Sequence, residues 1–283
     1  MWRIYRDVQF RLHASRLPEA PIPRIYYHEV ETGEVWIADA AGETVGFAGL
    51  IMRSRIGFLS EFFVDPRHQS RGIGRALLTR ALSAGAERYC TLSSTDPRAL
   101  ALYGRAGLYP HWPHVLLTAV VNPAQRLAVH GACVREARPG DQGIVEWDAR
   151  ISGRRRPEDH AFWRSDLEAV PVWMQRGGAT IGYGYVRLGR RQAGEPPSVV
   201  LGPIGSEARA DATACVAAAV AWGRAHGEVI HAAVPGIHPA LPALLEAGFR
   251  ITYVETFVAP QAEAFFDPRT YTPGAGLEGS TLF

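Results

Sequence analysis

The residues with the most chemistry to offer lie in one stretch, Phe62-Phe-Val-Asp-Pro-Arg-His-Gln-Ser-Arg-Gly-Ile-Gly-Arg-Ala-Leu-Leu78. A strand-like run ends at Val64, Asp65-Pro66 breaks it, and a basic loop containing glycines leads straight into a helical pattern. Gly72 and Gly74 carry no side chain that would hold an anion away from backbone N–H groups. The start of a helix adds partial positive charge, and Arg71 and Arg75 add charge-assisted donors. Together these features make a cradle for a pyrophosphate. A dinucleotide fingerprint would need a third glycine where Leu77 stands, and a Walker loop would need Gly-Lys-Ser/Thr, which is absent. The plainer alternative at this level is a capped surface helix that happens to begin with glycines.

The same stretch resembles motif A of the GNAT acyltransferases, Gln/Arg-x-x-Gly-x-Gly/Ala, in Gln69-Ser-Arg-Gly72-Ile-Gly74, with its Val-Asp-Pro lead-in and Ala-Leu-Leu follow-on. Tyr103, in Ala101-Leu-Tyr-Gly-Arg-Ala-Gly-Leu108, resembles the family's motif B, and the clear likeness covers about Glu34–Val121. This resemblance implies acetyl-CoA or coenzyme A as co-substrate, lying where two parallel strands splay. The pantetheine arm would run along the backbone of Phe62, Phe63 and Val64. The diphosphate would rest on Gln69, Ser70, Arg71, Gly72, Ile73, Gly74 and Arg75. It further implies direct attack of a primary amine on the thioester, with no covalent enzyme intermediate and no metal. The acceptor would be a small molecule or a protein amino group.

That reaction must take a proton from the amine and stabilise the departing thiolate. By the same resemblance Tyr103 would be the general acid at the sulfur and would also touch the cofactor; otherwise it is a core aromatic of an amphipathic helix. Glu61 is the best candidate base, weighed equally against a solvent-facing strand carboxylate. His68, His111 and His114 are alternative bases. A non-catalytic sensor or scaffold that binds acyl-CoA is the competing function, and retention of Tyr103 favours the enzyme.

The elements that would position these groups occur twice. Ala99-Leu-Ala-Leu-Tyr-Gly-Arg-Ala-Gly-Leu108 aligns without a gap on Ala240-Leu-Pro-Ala-Leu-Leu-Glu-Ala-Gly-Phe249, an offset of 141 residues, 240 minus 99. Glu43-Thr-Val-Gly-Phe-Ala-Gly aligns on Ala179-Thr-Ile-Gly-Tyr-Gly-Tyr. Repeats of this kind point to two copies of one unit. Each copy reads as two hairpin strands, a third strand, a long helix, a short strand, a helix and a last strand. In the first copy these are 35–39, 44–52, 58–64, 74–87, 89–93, 97–106 and 114–121. Such an order makes an α/β fold with a mixed sheet and helices on both faces, here two tandem GNAT-type domains, 1–125 and 126–283. The second copy opens with a strand over 133–137, followed by helices over 142–149 and 160–167. The first copy has no counterpart of that strand, and the tail 265–283 is a candidate to supply it.

At the 141-residue offset Gln69, Gly72, Gly74 and Tyr103 become Ala210, Thr213, Cys215 and Leu244, and acidic Glu207 and Asp211 flank the helix start. The second copy is therefore expected to bind no coenzyme A, and to shape the acceptor pocket or a homodimer interface. The acceptor pocket itself would be built from the early helices, Arg6–Arg24, and the second copy. Gly153-Arg-Arg-Arg-Pro reads as a solvated loop, with binding of an acidic acceptor or of the coenzyme's 3′-phosphate as the alternative.

Composition sets the outer limits. Hydrophobic residues make up 47% of the 283, enough for two cores, and the formal net charge of +2 gives no case for nucleic acid. Three scattered cysteines, no membrane-length apolar run and no signal pattern at the N-terminus fit a cytoplasmic protein with no membrane partner.

Overall fold

The computed structural model describes residues 1–13, 22–122, 124–125, 127–138, 141, 143–189, 196–260 and 266–275. The first half runs α1 (Trp2–His13), α2 (Arg24–Thr32), β1 (Glu34–Ala40), β2 (Glu43–Arg53), β3 (Ile56–Val64), α3 (Ile73–Ala81), β4 (Arg88–Ser93), α4 (Pro97–Arg105) and β5 (Tyr109–Val120). The second half runs β6 (Ala132–Glu136), α5 (Gly143–Ser152), α6 (Pro157–Ser165), β7 (Val170–Arg176), β8 (Ala179–Leu188), β9 (Ser198–Ser206), α7 (Arg209–His226), β10 (Val229–Pro235), α8 (Ala240–Glu246), β11 (Arg250–Ala259) and the short β12 (Tyr271–Thr272). The internal repeat is thus carried by matching elements in matching order, and Gly107 and Gly248 both close their helices with a left-handed φ, +82° and +88°. Several boundaries differ from expectation. The helices expected over 142–149 and 160–167 are Gly143–Ser152 and Pro157–Ser165. The early helices expected within Arg6–Arg24 are α1 and α2, residues 14–21 lying outside the described ones. The helix that periodicity carries to 87 stops at Ala81, and the strand expected from 114 begins at Tyr109.

Among the described residues all the strands join one sheet in the order β1-β2-β3-β4-β11-β5-β10-β9-β8-β7-β6, with β12 added beside β9. Its centre is an exchange. The last strand of the second half, β11, pairs with β4 of the first. The last strand of the first half, β5, pairs with β10 of the second. The two exchanged strands pair with each other from Arg250–Thr118 to Ala259–Tyr109. Each half therefore completes its sheet only with a strand from the other. A buried ionic cluster fastens the halves again: the Asp159 carboxylate on α6 accepts from Arg53 of β2 at 2.6 Å and lies 2.9 Å from His28 Nε2 of α2.

The described part of the tail, 266–275, does not supply the missing strand of the first half, and the rest of 265–283 lies outside the described residues. In that described part β12 pairs with Ile204 and Gly205 of β9, and β1 remains the outer strand of the sheet. In each half the parallel central pair stays together for only three residues. β3 and β4 match Ile56–Arg88 to Phe58–Cys90, and β9 and β10 match Ser198–Val229 to Val200–His231. Beyond these points each pair splays. Since β8 occupies the other edge of β9, β12 lies within the splay of the second half. Backbone bonds at both ends hold it there, from Ser206 N–H to the Thr270 carbonyl and from Ala275 N–H to the Leu201 carbonyl.

Candidate active site

In the first half the splay is open and a cleft of about 390 Å³ fills it. Phe62, Phe63 and Val64 line one side, Gln69, Ser70, Gly72, Ile73, Gly74 and Arg75 the end, and residues of α4 the other side. The strand's own geometry prepares that edge. Asp65 N–H bonds to the Val45 carbonyl, so along β3 alternate residues 65, 63 and 61 turn their backbone groups to β2, and Phe62 and Val64 turn theirs to the cleft. The Gln69 side-chain amide donates to the Val64 carbonyl at 3.1 Å, and Arg98 of α4 donates to Gln69 Oε1 at 2.9 Å. Gln69 thus braces the loop against strand and helix.

The cradle forms because the chain leaves β3 sharply. Asp65 accepts from Arg67 N–H at 2.9 Å and starts the single 3-10 turn Pro66–His68. Arg67 and Arg3 hold the Asp65 carboxyl far below the usual carboxylate range, so it stays ionised and the turn stays pinned. Gly72 then takes a left-handed φ of +83° just before α3. The two glycines serve differently. Gly72 is needed for backbone conformation, since a Cβ there would meet nothing within 4 Å. At Gly74 a Cβ would stand 3.5 Å from Leu102 and 3.6 Å from Phe62, two cleft-lining side chains, so its bareness leaves room in the cleft itself. Arg75 lines the cleft; Arg71 is exposed and does not.

Tyr103 and Glu61 do not line the cleft. Tyr103 is buried, with its ring 5.8 Å from that of Phe62 and its hydroxyl bonded to Thr91, which in turn donates to the Leu59 carbonyl at 2.8 Å. Burial raises the phenol above its ordinary value, so it keeps its proton. The Tyr103–Thr91–Leu59 chain sits where β3 and β4 begin to part. Glu61 is 2% exposed, so it is not a solvent-facing carboxylate. It shares the β3 face of Phe63, whose ring packs on Tyr5 of α1 at 5.1 Å, and its charge acts on Tyr26 of α2. Phe62 faces α4 instead. The candidate acid and base therefore lie on opposite faces of β3.

The histidines separate clearly. His68 lines the cleft. His111 is tied through Nε2 to the Ala259 carbonyl at 2.8 Å, across the exchanged strands. His114 is fully buried and held down to about 3 by desolvation, too weak a base to work near neutrality.

Sequence reasoning missed Glu29, which is 0% exposed on α2 and accepts from the Ser60 hydroxyl. It has no distinctive spacing partner in the chain. The only available hint is Gly49, where a Cβ would collide with the Glu29 carboxyl. The basic run at 153–157 is not the solvated loop expected of it. Arg154 and Arg156 are buried at 3% and 1% exposure and only Arg155 is solvated. The extended segment turns alternate side chains inward, and Asp148 of α5 meets Arg156 there at 2.7 Å.

Comparison with known proteins decides the family of this site. Residues 1–108 match the acetyltransferase (GNAT) family. This part of the chain belongs to the GNAT acetyltransferases. An aminoglycoside N(6')-acetyltransferase type 1 of Stenotrophomonas maltophilia is 38% identical over a 76-residue alignment, and the match covers 23% of this chain. The match spans half the length of that protein. Among solved structures, an acetyltransferase-like protein of Pyrococcus horikoshii superposes with a TM-score of 0.69 at 16% identity, covering 92% of this chain and 87% of the other. A tandem GNAT protein from the clavulanic acid biosynthesis pathway superposes with a TM-score of 0.58 at 15% identity, covering 91% and 93%. The whole chain therefore has the tandem GNAT fold. Within it the GNAT half has an open splay and a glycine cradle. The second half has neither: Cys215 stands in place of Gly74 and packs on Gly182, and Asp211, paired with Arg176, sits in the first turn of α7.

Proposed function

We propose that the protein is an N-acetyltransferase that uses acetyl-CoA in the GNAT half and passes the acetyl group to a primary amine. The observation that supports this best is a cleft that joins the outward backbone edge of Phe62 and Val64 to the start of α3, whose N-cap makes no side-chain hydrogen bond. An extended pantetheine arm adds to such an edge as a strand would. The bare Gly74 and the αL turn at Gly72 suit a diphosphate, with Arg75 beside it. When bound, the thioester supplies the acyl carbon and the leaving thiol. The amine attacks that carbon, the Phe62 or Val64 N–H steadies the developing oxyanion, and the thiolate leaves protonated.

The amine belongs to no class this chain alone defines. The relative's name makes an amino sugar the first acceptor to try. The second half, with its splay filled by its own tail, acts as scaffold and binds no coenzyme. The reading places the protein in the cytoplasm with acyl-CoA and an amine as its partners. Among the described residues no helix is long and apolar enough to cross a membrane, and no group of three or more metal-ligating side chains forms.

Calorimetry with acetyl-CoA tests the donor: one site per chain is expected, lost in Gly74→Val, and no binding by the wild type would end the proposal. The sensor reading has one observation in its favour, the Tyr103 hydroxyl turned to Thr91 rather than into the cleft. Thiol release from acetyl-CoA with an amino-sugar and polyamine panel separates the two. Turnover that falls at least about tenfold in Tyr103→Phe supports an enzyme with a tyrosine acid. Tight binding without turnover supports the sensor.

A further inference from the structure

The GNAT half carries a second carboxyl beside Glu61, placed by a bulge. Between Gly49–Glu61 and Leu50–Leu59 the register of β2 and β3 shifts, leaving Ser60 as the extra residue. Ser60 and Glu61 can therefore both face α2, although they are adjacent. Ser60 donates to Glu29 Oε1, while Glu29 Oε2 is sealed with no protein partner. One helical turn away, the Tyr26 hydroxyl is likewise buried without a partner. Two unmet polar atoms at i and i+3 on one helix face, turned toward the bulge, are costly unless something polar completes them. Ser60 lies outside the lining of the cleft but is only half-buried, so of these groups it is the one open to approach. Phe62, whose N–H faces the cleft, lies only two residues along β3, about 7 Å.

We propose that Glu29 is the proton store of the acceptor side: the ammonium of the acceptor gives its proton to Ser60 Oγ as the Ser60 proton passes to Glu29. This rests on the acetyltransferase reading above. The protons balance. One leaves the ammonium for Glu29, freeing the lone pair that forms the C–N bond. The second leaves the same nitrogen as the C–S bond breaks and ends on the coenzyme thiol. Glu29 then returns its proton to water before the next turnover. Glu29 acts through Ser60 and is a positioning residue, while Glu61 and Tyr26 are the other buried polar groups beside it. Desolvation raises the Glu29 carboxyl to about 7, where it can both take and return a proton near neutrality. The groups facing it are Tyr26 from α2, Ser60 and Glu61 from β3, and, through Tyr26, Tyr5 from α1.

The test compares wild type with Glu29→Gln, Glu29→Asp and Ser60→Ala, using acetyl-CoA and the same amine panel. Acetyl-CoA affinity is expected unchanged in all four; loss of donor binding in the wild type would instead sink the acetyltransferase reading. Turnover of the wild type should rise with pH through about 7. Glu29→Gln should fall at least about tenfold in kcat and lose that limb, with Glu29→Asp restoring part of it. The deficit should shrink with methoxyamine, an amine already neutral at assay pH. Infrared titration needs no turnover: a protonated-carboxyl band that fades through about pH 7 and is missing in Glu29→Gln is expected. Buried Glu255, raised to about 8, adds a band of its own in both proteins, so the wild type is compared with Glu29→Gln by difference. A Glu29→Gln enzyme with the wild-type pH profile, or a difference spectrum with no carboxyl band, overturns the proposal.

Discussion

Arg156 donates to the hydroxyl of Tyr271 at 2.7 Å, although 115 positions separate them in the chain. The same guanidinium is paired with Asp148 and lies 4.8 Å over the Trp163 ring. Asp148 also accepts from Tyr183 and lies 3.1 Å from His160 Nε2. This buried network anchors the tail strand in the splay of the second half. The fit is close: a Cβ on Gly202 would stand 2.6 Å from the Pro273 carbonyl oxygen.

Removing one member of that network should expose its cost. Arg156→Leu leaves Asp148 as an uncompensated buried charge and is expected to destabilise the protein by about 3–5 kcal/mol. Asp148→Leu added to it should recover much of the loss. Urea unfolding of the two variants measures both. Equal stability of the single and double variants would show that the ion pair does not carry the anchoring.

Strand exchange makes a prediction about fragments. Residues 1–125 lack β11, so β4 and β5 both lose their shared partner. That fragment should be unfolded or aggregated when expressed alone, and should fold when 126–283 is co-expressed. Gel filtration and circular dichroism report the outcome; a stable monomeric 1–125 would contradict it.

The Arg53–Asp159–His28 cluster should behave as a clasp between halves. Asp159→Asn removes the charge that Arg53 meets at 2.6 Å and is expected to cost about 3–5 kcal/mol. Acetyl-CoA affinity should change little in variant that still folds, because none of the three residues lines the cleft.

Glu29 should lower stability at neutral pH. A carboxyl whose folded value is raised binds its proton more tightly when folded. Its contribution is therefore best below the unfolded value, declines as pH rises through the window from about 4.5 to about 7, and stays at its lowest above that. A shift of this size corresponds to about 3 kcal/mol. Glu29→Gln should gain stability over wild type at pH 8 and little at pH 4, while losing activity. Thermal unfolding at the two pH values checks the sign. A variant less stable at pH 8 would mean that the carboxylate is better satisfied than its burial suggests.

How far the sequence reaches is visible in particular residues. Gln69 to Arg75 were legible because a strand–turn–helix cradle is local: its glycines, its break at Asp65-Pro66 and its helical period lie within a few residues of each other. The repeat was legible for a similar reason, since matching periodicities recur in matching order. The faces of β3 were not legible, because the bulge at Ser60 shifts the alternation and only the pairing with β2 creates the bulge. The inward turn of Arg156 depended on Asp148 and Tyr271, neither of which is its neighbour in the chain.

By itself, then, the sequence determined the pattern of strands and helices, their duplication and the glycine-bearing strand–turn–helix loop of the first half alone. Each of these follows from short-range sterics and hydrophobic period. Tertiary structure alone decided that the halves exchange their last strands, that the tail fills the second splay, and that Glu29 meets the bulge of β3. Those outcomes rest on pairing and burial between segments far apart in the chain, where hydrogen bonds and desolvation depend on which surfaces come together.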